Sequence, residues 1–363
     1  METLRIGIIG CGFIANGKHL PSLARLKPTV QLVAFCDILT ERAEAAKNTY
    51  GDKDAYVTDD YRRVLEDKSI DVVHICTPNA THCEIACAAF EAGKHVLCEK
   101  PMAITGEEAR KMVAAAKKSG KKFTVGYQNR FRDDSLYLRN MVDNGRLGDI
   151  YYGQAFALRR RCVPTWGVFM DKEKQGGGPL IDLGTHALDL TLWYMGNYEV
   201  ESVTGSVFYK MADQFEGNLC GPWDPKKYEV EDSAFGFIKM KNGATINLQA
   251  AWVLNIKEPR EACTMLCGTN GGAEMTMHDG FYNCDINYAD GGRLVNATVN
   301  FNDKIILGPS MPLDDAGTRE ARQWINCILN DTDPVVLPEQ ALCVTEVLEA
   351  IYKSGETGEM IKF

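Results

Sequence analysis

The chain has 363 residues, enough for two domains of roughly 150 residues each. Its 40 basic and 49 acidic residues leave a net charge of −9, which disfavours nucleic acid as a partner; the densest basic run, Leu158-Arg159-Arg160-Arg161, is too short to change that. A hydrophobic content of 45% with 25% charged residues excludes wholesale disorder, and a chain of this size needs no metal or disulfide staple.

The first third alternates short apolar runs with helical segments. Strands are predicted at Leu4–Ile9, Gln31–Cys36, Ala55–Val57, Val72–Ile75, His95–Cys98 and Lys122–Tyr127. Helices are predicted over Thr40–Tyr50, over Thr81–Glu91 closed by Gly93, and from Thr105 to Ser119-Gly120, with Glu107 and Glu108 in the first turn of the last. Strands spaced by helices imply a parallel sheet covered on both faces.

After about residue 128 the pattern changes. Longer strand-like runs appear at Ile150–Leu158, Val200–Tyr209, Ser233–Lys239, Ala244–Leu254, Ala262–Cys267, Ala273–Met277 and Phe281–Ile286. Lys241-Asn242-Gly243 and Asn270-Gly271-Gly272 supply turn chemistry between them, so a mostly antiparallel sheet is expected. Helices are expected near Pro179–Tyr194, Thr318–Leu329 and Pro338–Tyr352, and a long loop over 211–228. The division expected is residues 1–127 and 128–363.

The 13 cysteines are irregularly spaced. Cys36, Cys76 and Cys98 lie in apolar runs and read as small core residues. Cys83/Cys87 and Cys263/Cys267 are four apart, which matches no strong zinc spacing, so no metal site is expected. Many thiols without a disulfide framework favour a reducing compartment, the cytoplasm. Met1–Arg5 does not lead into a long apolar stretch, and no run is long enough to span a bilayer, so secretion and membrane insertion are not expected.

Gly10-Cys11-Gly12-Phe13-Ile14-Ala15 follows the first strand and fits G-x-G-x-x-G/A. Gly10 suits a tight turn, Gly12 lets a pyrophosphate approach the backbone, and the helix that follows offers its positive end. A lone match is weak, and its bland reading is a glycine turn without a ligand; its place at the head of a strand–helix series favours dinucleotide binding. Asp37, ending the second strand, can accept both adenosine ribose hydroxyls and would repel a 2′-phosphate, favouring NAD over NADP, with Arg42 nearby as the counter-argument. Three further loops leave the same sheet edge: Thr77-Pro78-Asn79 with His82, Glu99-Lys100-Pro101, and Gln128-Asn129-Arg130.

Gly176-Gly177-Gly178-Pro179-Leu180-Ile181-Asp182-Leu183-Gly184-Thr185-His186-Ala187-Leu188-Asp189 is the other informative segment. Three glycines mark a sharp turn or a close approach, and Pro179 suits a first helical turn. Helical spacing puts Asp182, His186 and Asp189 on one face. The bland alternative is a buried polar cluster on a core helix.

Taken together, Gly10–Ala15, Thr77-Pro78-Asn79 with His82, Glu99-Lys100-Pro101 and Gly176–Asp189 resemble, in that order and over essentially the whole chain, the glucose–fructose oxidoreductase/inositol dehydrogenase/rhizopine-catabolism (Gfo/Idh/MocA) family. The resemblance implies an N-terminal Rossmann fold followed by an α/β domain with a large, mostly antiparallel open sheet that builds dimers or tetramers. It also implies oxidation or reduction of sugar and cyclitol hydroxyls with a nicotinamide cofactor. Carried over by motif, Lys100, Asp182 and His186 form the catalytic set and also bind substrate. Gly10, Gly12, Phe13, Ile14, Asp37, Thr77, Asn79, His82, Glu99, Lys100, Asn129 and Arg130 hold the cofactor. Trp166 packs against the nicotinamide or a sugar face, or else belongs to the core, and Trp252 carries the same ambiguity. A lysine ordinarily keeps its proton at neutral pH, so His186 is expected to accept the substrate proton, alone or in a relay with Lys100, while Asp182 orients hydroxyls. The 211–228 loop, with Asn218, Trp223 and Tyr228, matches no family pattern and leaves the substrate open. A glycoside oxidised at C3 is one expectation. The alternative is a glycoside hydrolase that uses NAD transiently through C3 oxidation, elimination and water addition.

Overall fold

The computed structural model describes residues 3–278, 281–301 and 314–363. By their contacts they form two compact units, Met1–Gln128 with Leu313–Leu342, and Asn129–Pro312 with Cys343–Phe363.

The first unit is built on six parallel strands, β1 (Leu4–Ile9), β2 (Val30–Cys36), β3 (Tyr56–Thr58), β4 (Val72–Ile75), β5 (His95–Glu99) and β6 (Phe123–Gly126), in the order β3-β2-β1-β4-β5-β6. That is the doubly wound order whose direction reverses between β1 and β4. The connecting helices are α1 (Leu20–Ala24), α2 (Thr40–Tyr50), α3 (Tyr61–Glu66), α4 (His82–Glu91) and α5 (Gly106–Ser119). The start and stop of α5 follow from its sequence: the Thr105 side chain accepts the Glu108 N–H at 3.2 Å, and Gly120 closes the helix in the left-handed region. Helix α3, six residues with no apolar period to speak of, was not expected.

In the second unit, α6 (Asp133–Asp143) precedes β7 (Ile150–Leu158), α7 (Lys172–Gln175), α8 (Thr185–Met195) and β8 (Val200–Phe208). The sheet continues through β9 (Ser233–Met240), β10 (Thr245–Ala251), β11 (Arg260–Gly268), β12 (Gly271–His278), β13 (Phe281–Asp290) and β14 (Arg293–Asn300). Two helices, α9 (Ala316–Leu329) and α10 (Pro338–Thr357), and the short β15 (Ile361–Lys362) complete the chain. The nine strands run β14-β13-β12-β11-β7-β10-β9-β8-β15, antiparallel except for the β7–β10 pair. Helix α8 packs on β7 and β11. The side chain of Ile351, in α10, lies against β8 and β9, where a Cβ added at Gly205 or Gly236 would come within 2.7 Å or 2.5 Å of it. On the other face of these strands Phe208 and Phe237 are exposed among the described residues.

One boundary differs from the sequence expectation. Residues 313–342 belong with the first unit, not with the rest of 128–363. Helix α9 explains why: Ala321, Trp324, Ile325 and Cys327 are buried in the same core as Leu20, Leu23 and Leu26. Periodicity shows that a helix has an apolar face, not which core receives it.

Candidate active site

In the first unit the glycine loop sits at the reversal of strand order. Gly10 donates its N–H to Cys36 O at 2.8 Å, and Cys76 donates to Ile9 O at 2.7 Å. Gly10 has φ 92°, and a Cβ there would lie 2.6 Å from the Cys76 carbonyl carbon and oxygen. The fold therefore requires this glycine. Gly12 differs: a Cβ there would meet nothing within 4 Å. The packing places no demand on Gly12, whereas a pyrophosphate lying over the backbone would. Residues 13–24 then run as one helical stretch, with a π turn over Ala15–His19. Asp37 is nearly buried; its carboxylate oxygens accept the N–H groups of Cys11 at 2.8 Å and Leu39 at 2.9 Å. It thus braces the glycine loop from the end of β2. This cradle fits a dinucleotide. Phe13 is largely exposed, and Ile14, Thr77, Asn79, Lys100 and Asn129 are half-buried.

Three side chains expected at the cofactor have protein partners of their own. Glu99 is buried, with Oε1 2.5 Å from Lys18 Nζ and 2.7 Å from His19 Nε2, while Oε2 accepts the Lys100 N–H at 3.2 Å. Burial opposes its ionisation, but Lys18 and His19 outweigh that and hold the carboxyl well below its usual range. Lys18 also reaches Glu320 of α9 at 2.9 Å, and His19 meets His74 of β4 at 3.0 Å between their Nδ1 atoms. His82 is fully buried, with Nδ1 2.8 Å from Pro101 O and Nε2 3.0 Å from Thr77 O. It ties the two loops together. Burial pushes its pKa down. Arg130 is buried in the second unit, where it grips Asp189 through Nε at 2.9 Å and Nη2 at 2.6 Å and lies 3.3 Å from the Tyr198 hydroxyl.

In the second unit the glycine run has a steric cause. Gly176 closes α7 at φ 83°. A Cβ at Gly177 would fall 2.0 Å from Tyr352 Oη, and one at Gly178 would fall 2.4 Å from Glu231 O. Glu231 then receives the helix start: it accepts the N–H groups of Gly178 at 2.8 Å and Leu180 at 3.0 Å and the Tyr352 hydroxyl at 2.8 Å. It is a carboxylate at a helix N-terminus, the end that favours negative charge. Burial nonetheless pushes its pKa up.

Leu180–Gly184 is a π turn, with Thr185 N–H bonded to Leu180 O, before α8 begins. The wider turn breaks the simple four-residue face. Asp189 goes to Arg130, while Asp182 Oδ2 accepts the indole N–H of Trp252 at 3.0 Å. His186 is buried on α8. Trp252 is a core residue, fully buried; Trp166 is 45% exposed and packs edge-on to Phe169, which in turn meets Trp252. These rings lead from the surface to Asp182. Arg159 adds positive charge near Asp182: burial works against its charge, but Glu261, held at 2.6 Å, and then Asp182 keep it ionised. Sequence reasoning missed Glu231, Tyr352 and Phe169 here, because nothing local to them signals a partner 50 or more residues away.

Two family models match the chain: the oxidoreductase family, NAD-binding Rossmann fold, over residues 4–127, and the GFO/IDH/MocA C-terminal domain over residues 135–274. D-glucoside 3-dehydrogenase of Escherichia coli (strain K12) is 37% identical over 361 residues, 99% of this chain and 98% of the relative. Levoglucosan dehydrogenase of Pseudarthrobacter phenanthrenivorans (strain DSM 18606 / JCM 16027 / LMG 23796 / Sphe3) is 30% identical over 271 residues, 69% of this chain and 68% of the relative. Among solved structures, a levoglucosan dehydrogenase in complex with NADH and levoglucosan has the same fold, with a TM-score of 0.84 at 23% identity over 99% of both chains. The chain belongs to the Gfo/Idh/MocA family and is an NAD-dependent dehydrogenase built on that family's Rossmann fold.

Proposed function

We propose that this enzyme oxidises the C3 hydroxyl of a D-glucoside to the 3-ketone with NAD. The observation that carries the substrate is the 37% identity to a D-glucoside 3-dehydrogenase over 99% of the chain. A nicotinamide, once bound, would supply the hydride acceptor. His186 takes the hydroxyl proton, alone or through Lys100, and Asp182, fixed by Trp252, orients the sugar hydroxyls. Trp166 offers its exposed face to the sugar ring. Gly10, Gly12, Phe13, Ile14, Asp37, Thr77, Asn79 and Asn129 hold the cofactor, with Glu99, His82 and Arg130 positioning residues behind them. The carboxylate of Asp37 favours NAD over NADP.

The hydrolytic alternative is not favoured, since the relatives are dehydrogenases. The test is to incubate the purified protein and NAD with alkyl and aryl D-glucosides, inositols and levoglucosan, reading NADH and the ketone product. NADH formed in step with a 3-keto-glucoside supports the proposal. Free aglycone without NADH, or turnover of inositols alone, overturns it. Among the described residues no helix is long and apolar enough to cross a membrane. A cytoplasmic location is part of the proposal, as is a homo-oligomer formed through the open sheet face that exposes Phe208 and Phe237.

A further inference from the structure

We propose that Cys162 and Cys220 are a redox pair, forming a reversible disulfide that staples the 211–228 loop to the chain leaving β7. This goes beyond the dehydrogenase reading and does not depend on it.

Both residues are half-buried, and their Sγ atoms are 3.1 Å apart although 58 residues separate them in sequence. A disulfide bond is about 2.05 Å long, so the sulfurs close by only about 1 Å to form one. The backbone around them is already locked together. Leu219 N–H donates to Arg161 O at 3.1 Å. Asn218 accepts the Val163 N–H at 2.8 Å and donates to Val163 O at 3.1 Å. The Thr165 hydroxyl donates to Cys220 O. The fold has therefore already met the entropic cost of bringing two distant segments together, which the cross-link alone would otherwise bear. The same hydrogen bonds give Asn218, unexplained by sequence, a purpose: it holds the pair in register.

The staple stands close to the candidate site of its own unit. Cys162 N–H donates to Trp252 O at 3.0 Å, and the Trp252 indole donates to Asp182. The redox state of the pair thus bears on the segment that carries the aromatic wall beside Asp182.

The oxidant is a small-molecule disulfide of the glutathione class. One protein thiol, as thiolate, attacks it, expelling one glutathione and forming a mixed disulfide; the second protein thiolate attacks that sulfur and expels the other. The two protein S–H bonds and the glutathione S–S bond are lost, one protein S–S bond forms, and both protons end on two glutathione thiols. A half-exposed bond of this kind is reducible, which suits a switch more than a permanent brace.

A built-in control exists. Cys83 and Cys87 are the same residue type, four apart on α4. Helical geometry holds such Cβ atoms about 5–6 Å apart, beyond the roughly 4.5 Å limit of a disulfide. They remain thiols.

The full chain is equilibrated natively with excess oxidised glutathione, denatured, alkylated and digested with trypsin. The expected result is loss of two of the 13 alkylatable thiols and a linked pair of peptides, 162–172 with 211–226, lighter by two hydrogens than the separate peptides. Dithiothreitol separates them. Native oxidised protein is cut more slowly at Lys210 and Lys226, which flank Cys220. In Cys220→Ser no linked pair of peptides forms, Cys162 is recovered either as an alkylated thiol or as a glutathione adduct for want of the second thiolate, and the protection is lost. The proposal is overturned if all 13 thiols of the oxidised protein alkylate. It is equally overturned if Cys162 and Cys220 carry only separate glutathione adducts, or if Cys83 and Cys87 are the pair that links.

Discussion

The indole N–H of Trp252 donates to Oδ2 of Asp182 at 3.0 Å, from a ring that is fully buried. A rigid core residue therefore sets the direction of a carboxylate on a π turn, which is how a site keeps an acid aimed. Trp252→Phe keeps an aromatic core and removes the donor. We expect KM for the sugar to rise several-fold with little change in NAD affinity. Asp182→Asn, which keeps the shape and loses the charge, should lower kcat by about tenfold or more. Steady-state kinetics beside NAD calorimetry separates the two effects.

Much of the first unit was legible because its signals are local. A capping threonine, a closing glycine and short apolar runs are enough to place β1, β4 and α5. The site was legible only as a set of residue types. Glu99, His82 and Arg130 look in sequence like polar loop residues at a ligand edge. Their burial arises from partners that no spacing reveals: Lys18 on the glycine-loop helix, two backbone carbonyls, and Asp189. Residues 313–342 show the same limit, since an amphipathic helix does not announce which core it will join.

The two glycines of the cofactor loop should respond differently to alanine. Gly10→Ala places a methyl against the Cys76 backbone at positive φ and should lower Tm clearly. Gly12→Ala meets no protein atom within 4 Å, so its Tm should stay within a degree or two while NAD affinity falls. Thermal unfolding with and without NAD reads both. Equal loss of stability in the two variants would remove the argument that Gly12 serves a ligand.

Glu231 should matter to the helix carrying His186 more than its distance in sequence suggests. Glu231→Ala strands the buried N–H groups of Gly178 and Leu180 and the Tyr352 hydroxyl. The expected cost is about 3 kcal/mol or more. Glu231→Gln keeps one acceptor oxygen and should recover part of it. Urea unfolding of the three proteins tests the order wild type, Gln, Ala.

Stability should fall as pH drops below about 6.5. Burial lowers the pKa of His19, His74 and His82, and takes His95 to about 4. The native protein keeps these rings neutral, while the unfolded chain binds protons as pH falls through about 6.5. Their contribution is therefore complete above that pH and is lost below it, by about 1.4 kcal/mol per proton per pH unit. Burial raises the carboxyls of Glu231, Asp189 and Glu320, an effect of opposite sign. A His95→Gln variant isolates an imidazole share, because His95 Nδ1 accepts the Lys122 N–H at 3.1 Å and burial takes its pKa to about 4: whatever its absolute stability, its slope between pH 6.5 and 5.5 should be smaller than that of the wild type by most of one proton. Unchanged slopes would contradict a neutral His95 in the native protein.

In the proposed reaction Lys100 and His186, distant in sequence, serve one oxidation. The most direct test is single-turnover NADH formation from NAD and a D-glucoside by wild type, Lys100→Ala and His186→Ala, with NAD affinity measured on each. We expect a loss of about a hundredfold or more in both variants with NAD still bound. Wild-type rates in either variant would contradict it.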